Sequence, residues 1–363
     1  MLKLYVRNIY ELSFLEKLVI IFLCGFLLPK ISFLGTYISI PDILSVFFSI
    51  YLLKVKYKIK IINIFKFEIL IVFFYILLLL YNYLASNIDL YSFLNITRFA
   101  FYILATVNLI YFLGNKSKKI IDISIYTIGI YILFYLLYII INIWKYPIEE
   151  IFYGYTSIRL KLPFEYSGTT SVPFGYLLSL IFAYTLGSKK NGSFLFFVGQ
   201  IFTMSRSAIL SSLIFLFFKN KKLFFICFPV VVALILYKSF SKGVMDHSSY
   251  DRFYFFIYSI DFYLKSLPHS FFGFGLSPYI LYENTGYFYF ENIFAQSLMS
   301  GGIVLLLIII LMYFTFAYRI LFLGMYIYIP VLVGNFFGGY NLFSTISLPL
   351  YLMFVYHYKK NNA

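Results

Sequence analysis

Arginines and carboxylates in an otherwise apolar chain are the residues that could carry chemistry. Arg98 and Arg206 both lie within apolar runs, where a charged side chain is costly and usually functional. Arg159, Lys161 and Arg252 lie in two polar segments that interrupt the apolar sequence. Because guanidinium groups bind phosphate oxygens through paired hydrogen bonds, such a set on one side of a membrane predicts an anionic ligand. For any single cation, pairing with a carboxylate or reaching to lipid head groups is an equally good interpretation.

Glu291 is the carboxylate best placed to act as a general base. It opens an apolar run together with Asn292, so its carboxyl group would be partly desolvated, which raises the pKa of a carboxyl group. A carboxylate at this position could equally serve as a helix cap. Asp251, next to Arg252, is the second choice. The other acidic residues weighed were Glu149, Glu150, Glu165, Asp246, Asp261 and Glu283.

Metal and nucleotide chemistry have no support in the sequence. No histidine and carboxylate set has the spacing of metal ligands, and no HExxH, Walker A or GxGxxG motif is present. We therefore expect no metal and no cofactor, and no sugar-nucleotide donor. Cys24 and Cys227 both lie in apolar runs, so a disulfide framework is not expected either.

Membrane helices must hold these residues in place. The chain is 62% hydrophobic and only 12% charged, whereas a soluble protein is about 25% charged. The net charge of +15 comes mainly from short loops between apolar runs, where it sets topology and does not indicate nucleic-acid binding. We predict one all-α, polytopic integral membrane domain over residues 1–363, a bundle of about 11–12 transmembrane helices, without a cleavable signal peptide. The candidate spans are 14–34, 37–53, 67–85, 92–113, 120–143, 171–186, 194–218, 223–237, 290–316, 320–336 and 342–357.

The positive-inside rule predicts the orientation of these spans. The basic clusters at 3–7, 54–66, 116–119, 189–190, 219–222, 319 and 359–360 should all be cytoplasmic. A single crossing by 194–218 would put two of these clusters on opposite sides of the membrane. A re-entrant hairpin of two short helices that turns at 203–207 removes the conflict, and its serine hydroxyls can satisfy the freed backbone groups. The alternative is one ordinary span in which Arg206 is paired or reaches to the head groups.

The hairpin has three consequences. Both termini become cytoplasmic, Arg206 lies in the outer half of the membrane, and two large loops, 144–170 and 238–289, become external. The second loop contains Lys242, Asp246, His247, Asp251, Arg252, Asp261, Lys265, His269 and Glu283. Functional residues concentrate on such loops.

Three motifs follow in order along the C-terminal half. They are Thr203-Met-Ser-Arg-Ser-Ala208; Asp251-Arg252 followed by Pro268 and Gly273-x-Gly275; and Glu291-Asn292 followed by Gly301-Gly302. Their order and spacing resemble the O-antigen polymerase and O-antigen ligase superfamily of bacterial inner-membrane glycosyltransferases. Ligases have a histidine at the position of Glu291, so the chain resembles the polymerases more. The Arg-x10-Gly spacing of some polymerases is not found, because the residue at that spacing after Arg159 is Thr170.

The resemblance implies a GT-C-like helical fold with two long periplasmic loops, in the bacterial cell inner membrane. It implies metal-independent glycosyl transfer from an undecaprenyl-pyrophosphate-linked oligosaccharide to a second lipid-linked repeat unit. Arg206 and Arg252, with Arg98, would stabilise the pyrophosphate leaving group, and Glu291 or Asp251 would be the base. The expected partners are the undecaprenyl-pyrophosphate-linked donor and acceptor oligosaccharides and membrane lipid. The resemblance also allows a chain-length regulator as a protein partner. The substrate-binding candidates are Arg98, Arg159, Lys161, His247, Gly273, Gly275 and Asn292.

Other functions stay open at this point. An O-antigen ligase would use a lipid A core acceptor. A lipid-linked oligosaccharide flippase would have charged groups near the midplane, internal repeats or paired broken helices, and no repeat is evident. A non-catalytic membrane scaffold leaves Arg98 and Arg206 unexplained.

Overall fold

In the computed structural model the protein is almost entirely helical, as predicted. Within the part that the structure describes, the strands form one short antiparallel hairpin, β1 (Ile31–Phe33) and β2 (Thr36–Ile38), which pairs Ile31 with Ile38. The described residues are 10–33, 36–51, 65–84, 90–142, 160, 162–163, 171–190, 192–203, 205–241, 247–265, 271–275, 278–287, 290, 292–338 and 347–362.

The described helices follow the predicted spans and add two helices inside the second polar loop. They are α1 (Phe14–Cys24), α2 (Ile40–Tyr51), α3 (Lys66–Leu84), α4 (Leu90–Leu113), α5 (Ser117–Asn142), α6 (Ser171–Gly187), α7 (Ser193–Thr203), α8 (Arg206–Lys219), α9 (Lys221–Ser241), α10 (His247–Lys265), α11 (Pro278–Thr285), α12 (Ile293–Leu321), α13 (Ile329–Gly338) and α14 (Leu348–Asn362).

Two predicted spans differ most from the helices of the structure. The helix predicted over 14–34 ends at Cys24 and continues only as the 3-10 turn Gly25–Leu27 before the chain extends through Pro29, which cannot continue a helix. Gly25 packs so closely on α2 that a Cβ there would lie 2.7 Å from the Pro41 ring. The helix predicted over 320–336 begins only at Ile329, because α12 continues to Leu321 and the chain turns at Gly324, whose φ is +61°.

Two stretches are long and apolar enough to cross a membrane, judged by length and composition among the described residues. They are Thr97–Asn142, which contains most of α4 and all of α5, and Ile293–Leu321, which is α12. Apolar helices of 10–17 residues accompany them at Ile40–Tyr51, Val172–Gly187 and Ser193–Thr203. The structure is therefore that of a helical protein with candidate membrane-spanning helices.

The chain forms two compact units. The first contains Met1–Phe65, Arg98–Met204 and Ser344–Ala363. In this unit α6 packs on α7, and α5 packs on α1, α7 and α14. Polar contacts join the start of α1, the start of α5, the end of α6 and the C-terminal part of α14, so these basic segments share one end of the unit. The contacts are Lys116–Glu16 (2.9 Å), Lys119–Glu11 (3.5 Å), Lys190–Asp122 and Ser117–His357 (2.9 Å).

The second unit contains Lys66–Thr97 and Ser205–Phe343. Its helix directions follow from contacts near the start of α13. The ring of Phe218, at the end of α8, lies 5.7 Å from that of Tyr326. Arg319, at the end of α12, donates a hydrogen bond to the Tyr328 hydroxyl at 2.6 Å. Helices α8 and α12 therefore run parallel to each other, and α13, which packs on both, returns antiparallel.

Candidate functional site

The second and third sequence motifs meet in the structure. The loop 271–275, which contains Gly273-x-Gly275, docks against α12 at Gly301-Gly302. Gly302 interrupts α12 with φ +66° and ψ −162°, so the helix is broken into a short first part, 293–301, and a long second part that ends at Leu321. Inside an apolar helix such a break is tolerated only where other groups form hydrogen bonds with the backbone amides and carbonyls that it frees.

The loop supplies those partners. The amide of Phe274 donates to the Met299 carbonyl at 2.8 Å, and the amide of Gly275 donates to the Ser300 carbonyl at 3.2 Å. In a regular helix these two carbonyls accept from the residues four positions later. In return, the amide of Val304 donates to the Phe271 carbonyl at 3.4 Å. We call this set of backbone contacts between loop 271–275 and the break in α12 the loop–helix lock.

Glycine is required on both sides of the lock. Gly273 has φ +71°, and a Cβ there would lie 2.5 Å from the Gly302 nitrogen. A Cβ on Gly302 would collide with the Phe271 carbonyl oxygen. Left-handed backbone disfavours other residues in any case, and here the close approach of two backbones also excludes them. The glycines predicted to bind substrate thus hold the loop on the helix.

The first part of α12 is anchored at its start on both sides of Glu291. Asn292 caps the helix, because its side-chain oxygen accepts from the amides of Phe294 (2.8 Å) and Ala295 (3.3 Å). Gln296, only 6% exposed, folds back so that its Oε1 accepts from the Phe290 amide at 2.6 Å. Glu291 itself lies outside the described residues, as do Arg159 and Lys161. Hydrogen bonds thus fix Phe290 and Asn292, the residues before and after Glu291. The role of Gln296 was not predicted from the sequence.

An aromatic cluster ties α10 to this helix start. Phe255 of α10 contacts the rings of Tyr287 (5.0 Å) and Phe290 (5.7 Å), and Phe262 contacts Phe274 of the lock at 5.2 Å. Tyr258, between them on the same face, donates to the Thr285 carbonyl at 3.4 Å. Burial raises the pKa of the Tyr258 hydroxyl, so it stays a neutral donor.

His247, Asp251 and Arg252 lie in the first turns of α10. Their side chains lie outside the described part of the structure. Position 251 is one helical turn before Phe255, whose ring contacts Phe290, the residue that precedes Glu291. The backbone of the Asp-Arg pair is therefore close to the start of α12, within the same unit.

Arg206 is the first residue of α8 and is half-buried. The preceding helix α7 ends at Thr203, so the apolar run 194–218 consists of two helices that meet at the predicted turn. Since α8 runs parallel to α12, Arg206 lies at the end of α8 that is farther from Lys219 and Arg319. With a rise of 1.5 Å per residue, Arg206 lies roughly 18 Å along the axis from Phe218, whereas Gly302 lies roughly 26 Å from Arg319, so Arg206 is about 8 Å short of the level of the break. The re-entrant path of the two helices stays a prediction.

Arg98 belongs to the first unit and pairs with Asp42, which sequence reasoning did not consider. Its Nε lies 3.0 Å from Asp42 Oδ1, and the Tyr102 hydroxyl donates to the same oxygen at 3.1 Å. The amide and hydroxyl of Ser39 donate to the other carboxylate oxygen at 2.7 and 2.6 Å. The ion pair is the alternative that the sequence left open for Arg98, and its role toward a ligand stays a prediction.

The first polar loop is described at few positions. Between Arg159 and Lys161, Leu160 is fully buried, and its amide donates to the Phe202 carbonyl at 2.9 Å. This contact holds the loop to the C-terminal end of α7. The sequence does not predict this contact, because a single leucine between two cations has no characteristic pattern.

The described residues contain no group of three or more histidine, cysteine, aspartate or glutamate side chains that could hold a metal ion. Among the described residues, the polar groups around the first part of α12 are the backbone amides of the loop 271–275 and the side-chain amides of Asn292 and Gln296. No family model, no curated protein and no solved structure matches the chain.

Proposed function

We propose that the chain is a bacterial inner-membrane polymerase of O-antigen or a related surface polysaccharide. It joins undecaprenyl-pyrophosphate-linked repeat units at the periplasmic face and uses no metal. The observation that carries this proposal is the loop–helix lock. Segments that lie up to about 50 positions apart in the sequence pack together: the helix that contains Asp251-Arg252, the turn Gly273-x-Gly275, and the helix that begins after Asn292 and contains Gly301-Gly302.

The positions of the basic residues within each unit support the proposed topology of about 11–12 spans. In the first unit the basic segments share one end, and α7 runs away from that end. In the second unit α8 runs toward the end at which Lys219 and Arg319 lie. This is what a re-entrant hairpin with cytoplasmic termini requires under the positive-inside rule. It gives Arg206, α10 and the start of α12 a periplasmic orientation.

The proposed reaction is a single displacement at the donor sugar. The acceptor hydroxyl oxygen forms a bond to the anomeric carbon, while the bond from that carbon to the pyrophosphate oxygen breaks. Glu291, or Asp251 in its place, takes the hydroxyl proton, and undecaprenyl pyrophosphate leaves. Arg206 and Arg252 stabilise the charge that develops on the leaving group.

Substitution of these residues in a strain that depends on the protein tests the proposal. Arg206→Ala, Arg252→Ala and Glu291→Gln should abolish the ladder of long polysaccharide and leave glycan with a single repeat unit. Matched controls are Lys265→Ala, an exposed cation on the same helix as Arg252, and Glu283→Gln, an exposed carboxylate of the same polar loop. Both controls should keep the ladder, and immunoblots establish that each variant is present in the membrane. A normal ladder in the Arg206 and Arg252 variants contradicts the proposal.

A flippase is the second candidate, because α12 is a broken helix and transporters often build substrate sites from such helices. In this chain, however, the loop amides already satisfy the Met299 and Ser300 carbonyls at the break. The deletion strain separates the candidates. Single repeats on the lipid A core indicate a polymerase, lipid-linked polymer that is not transferred indicates a ligase, and repeats that never reach the periplasm indicate a flippase.

A further inference from the structure

Helix α10 has three faces of different chemistry. One face packs on the aromatic cluster through Phe255, Tyr258 and Phe262, together with the fully buried Ser259. A second face is exposed and apolar, and a third is exposed and polar. At 100° per residue the apolar and polar faces lie side by side around the helix.

The exposed apolar face runs along the helix on Phe256, Ile257, Ile260 and Leu264, which are between 37% and 63% exposed. The polar face contains Tyr254, Asp261 and Lys265. Lys265 and Asp261 form an exposed ion pair at 2.6 Å, with side chains 73% and 60% exposed. In a loop surrounded by water, a row of four exposed apolar side chains would be unfavourable.

The packed face of α10 is connected through the loop 271–275 to a helix of membrane length, α3. Phe262 of α10 contacts Phe274 in the loop 271–275. In the same loop the ring of Phe272 stacks on Tyr81 with centroids 4.2 Å apart. Tyr81 lies in the last turn of α3, a helix of 19 residues whose described side chains are largely exposed and apolar. A helix of that length spans about 28 Å, close to the thickness of the hydrocarbon core.

The loop 271–275 therefore lies at the level where the α3 span ends, and α10 packs beside it. A helix at that level, apolar on one exposed side and charged on the adjacent side, has the composition of a helix in the plane of a membrane surface.

We propose that α10 is an interfacial helix whose exposed apolar face is covered by the acyl chains of the outer leaflet. Its Asp261 and Lys265 side then faces water. One face of the helix therefore packs on the aromatic cluster, and a second face contacts lipid. This inference rests on the membrane topology proposed above but not on the glycosyl transfer.

Single tryptophan residues at adjacent positions test the proposal. The chain has one tryptophan, so Trp144→Phe gives a background without it. In that background Leu264→Trp and Lys265→Trp put the probe on the apolar and the polar face, at two highly exposed side chains with little packing to disturb. The variants are purified, reconstituted in vesicles of brominated phosphatidylcholine and also titrated with acrylamide.

Lipid bromine should quench position 264 at least roughly threefold more strongly than position 265, and acrylamide should show the reverse order, as for amphipathic surface helices. Ile257→Trp, two turns before Leu264, and Tyr254→Trp, three turns before Lys265, repeat the comparison in case one of the first variants fails to fold. Equal quenching by lipid at both faces overturns the proposal. Protection of position 264 from both quenchers also overturns it, and indicates that a second copy of the chain or another protein covers the face.

Discussion

A charged residue inside an apolar run can have a partner from a distant part of the sequence. Arg98 and Asp42 are 56 positions apart, and each is inconspicuous without the other. In the structure the carboxylate of Asp42, on a side chain only 12% exposed, has partners at both oxygens: Arg98, Tyr102 and two groups of Ser39. Removal of the cation from such a pair is destabilising, because it leaves a buried carboxylate charge without compensation.

We therefore expect Arg98→Ala to lower the free energy of unfolding by about 2–4 kcal/mol, since it leaves the Asp42 carboxylate without its cation. The double variant Arg98→Ala with Asp42→Asn should recover a large part of this loss. Thermal unfolding of purified protein in detergent measures both effects. If Arg98→Ala is as stable as the natural chain and yet abolishes polymer, the arginine acts on a ligand and the ion pair contributes little.

At the scale of elements, the main feature is that α12 is two helices joined at Gly302 and held by a loop. The first part is short and has its own N-terminal cap at Asn292, and loop amides cap its C-terminal end. A short helix of this kind is marginal alone, so its position depends on the loop–helix lock and on the packing of α10. Phe290 and Asn292, the described residues on either side of Glu291 in the sequence, belong to this same anchored segment.

Gly302→Ala should destabilise the protein by well over the roughly 1 kcal/mol expected for left-handed backbone alone, because the added Cβ collides with Phe271. Gly286→Ala is the matched control. Its φ is +77°, and a Cβ there has nothing within 4 Å, so it isolates the cost of the backbone conformation. Melting temperatures measure the difference, and hydrogen exchange should show that the amides of Phe274 and Gly275 lose protection only in Gly302→Ala. Equal destabilisation by the two substitutions contradicts the lock.

In the whole molecule, several basic residues gather at one end within each unit: Lys116, Lys119 and Lys190 in the first, and Lys219 and Arg319 in the second. Under the proposed function this end is cytoplasmic, and the second polar loop, which contains α10 and α11, is external.

Labelling of single cysteines tests this topology. Cys24→Ala with Cys227→Ala removes both natural thiols. In that background a membrane-impermeant maleimide added to whole spheroplasts should label Glu283→Cys, in α11, and not Asn220→Cys, between α8 and α9. Opening the cells should make Asn220→Cys reactive, which also controls for its accessibility. Labelling of Asn220→Cys from outside would falsify the orientation of the second unit.

The helices themselves were largely predictable because hydrophobic runs and basic loops are local signals. The basic clusters that flank the run 194–218, for example, favour two short helices over one ordinary span, and the structure has α7 and α8 with their boundary at 203–206. Local signals failed where a turn packs on a distant residue, as Gly25 does on Pro41, and the predicted span 14–34 was therefore too long. The roles of Asp42 and Gln296 were missed for the same reason, since each depends on a partner that only packing supplies.

The sequence by itself determined the helical class, the position of most helices and the residues worth testing, because apolar periodicity and charge depend only on neighbouring residues. Tertiary structure decided what those residues contact. It showed that Gly273 and Gly302 meet backbone to backbone and that Arg98 pairs with Asp42, and it gave α10 a packed face and an exposed apolar face. The physical reason is that these are contacts between segments far apart in the chain, formed only when close packing brings specific backbones within a few ångströms of each other.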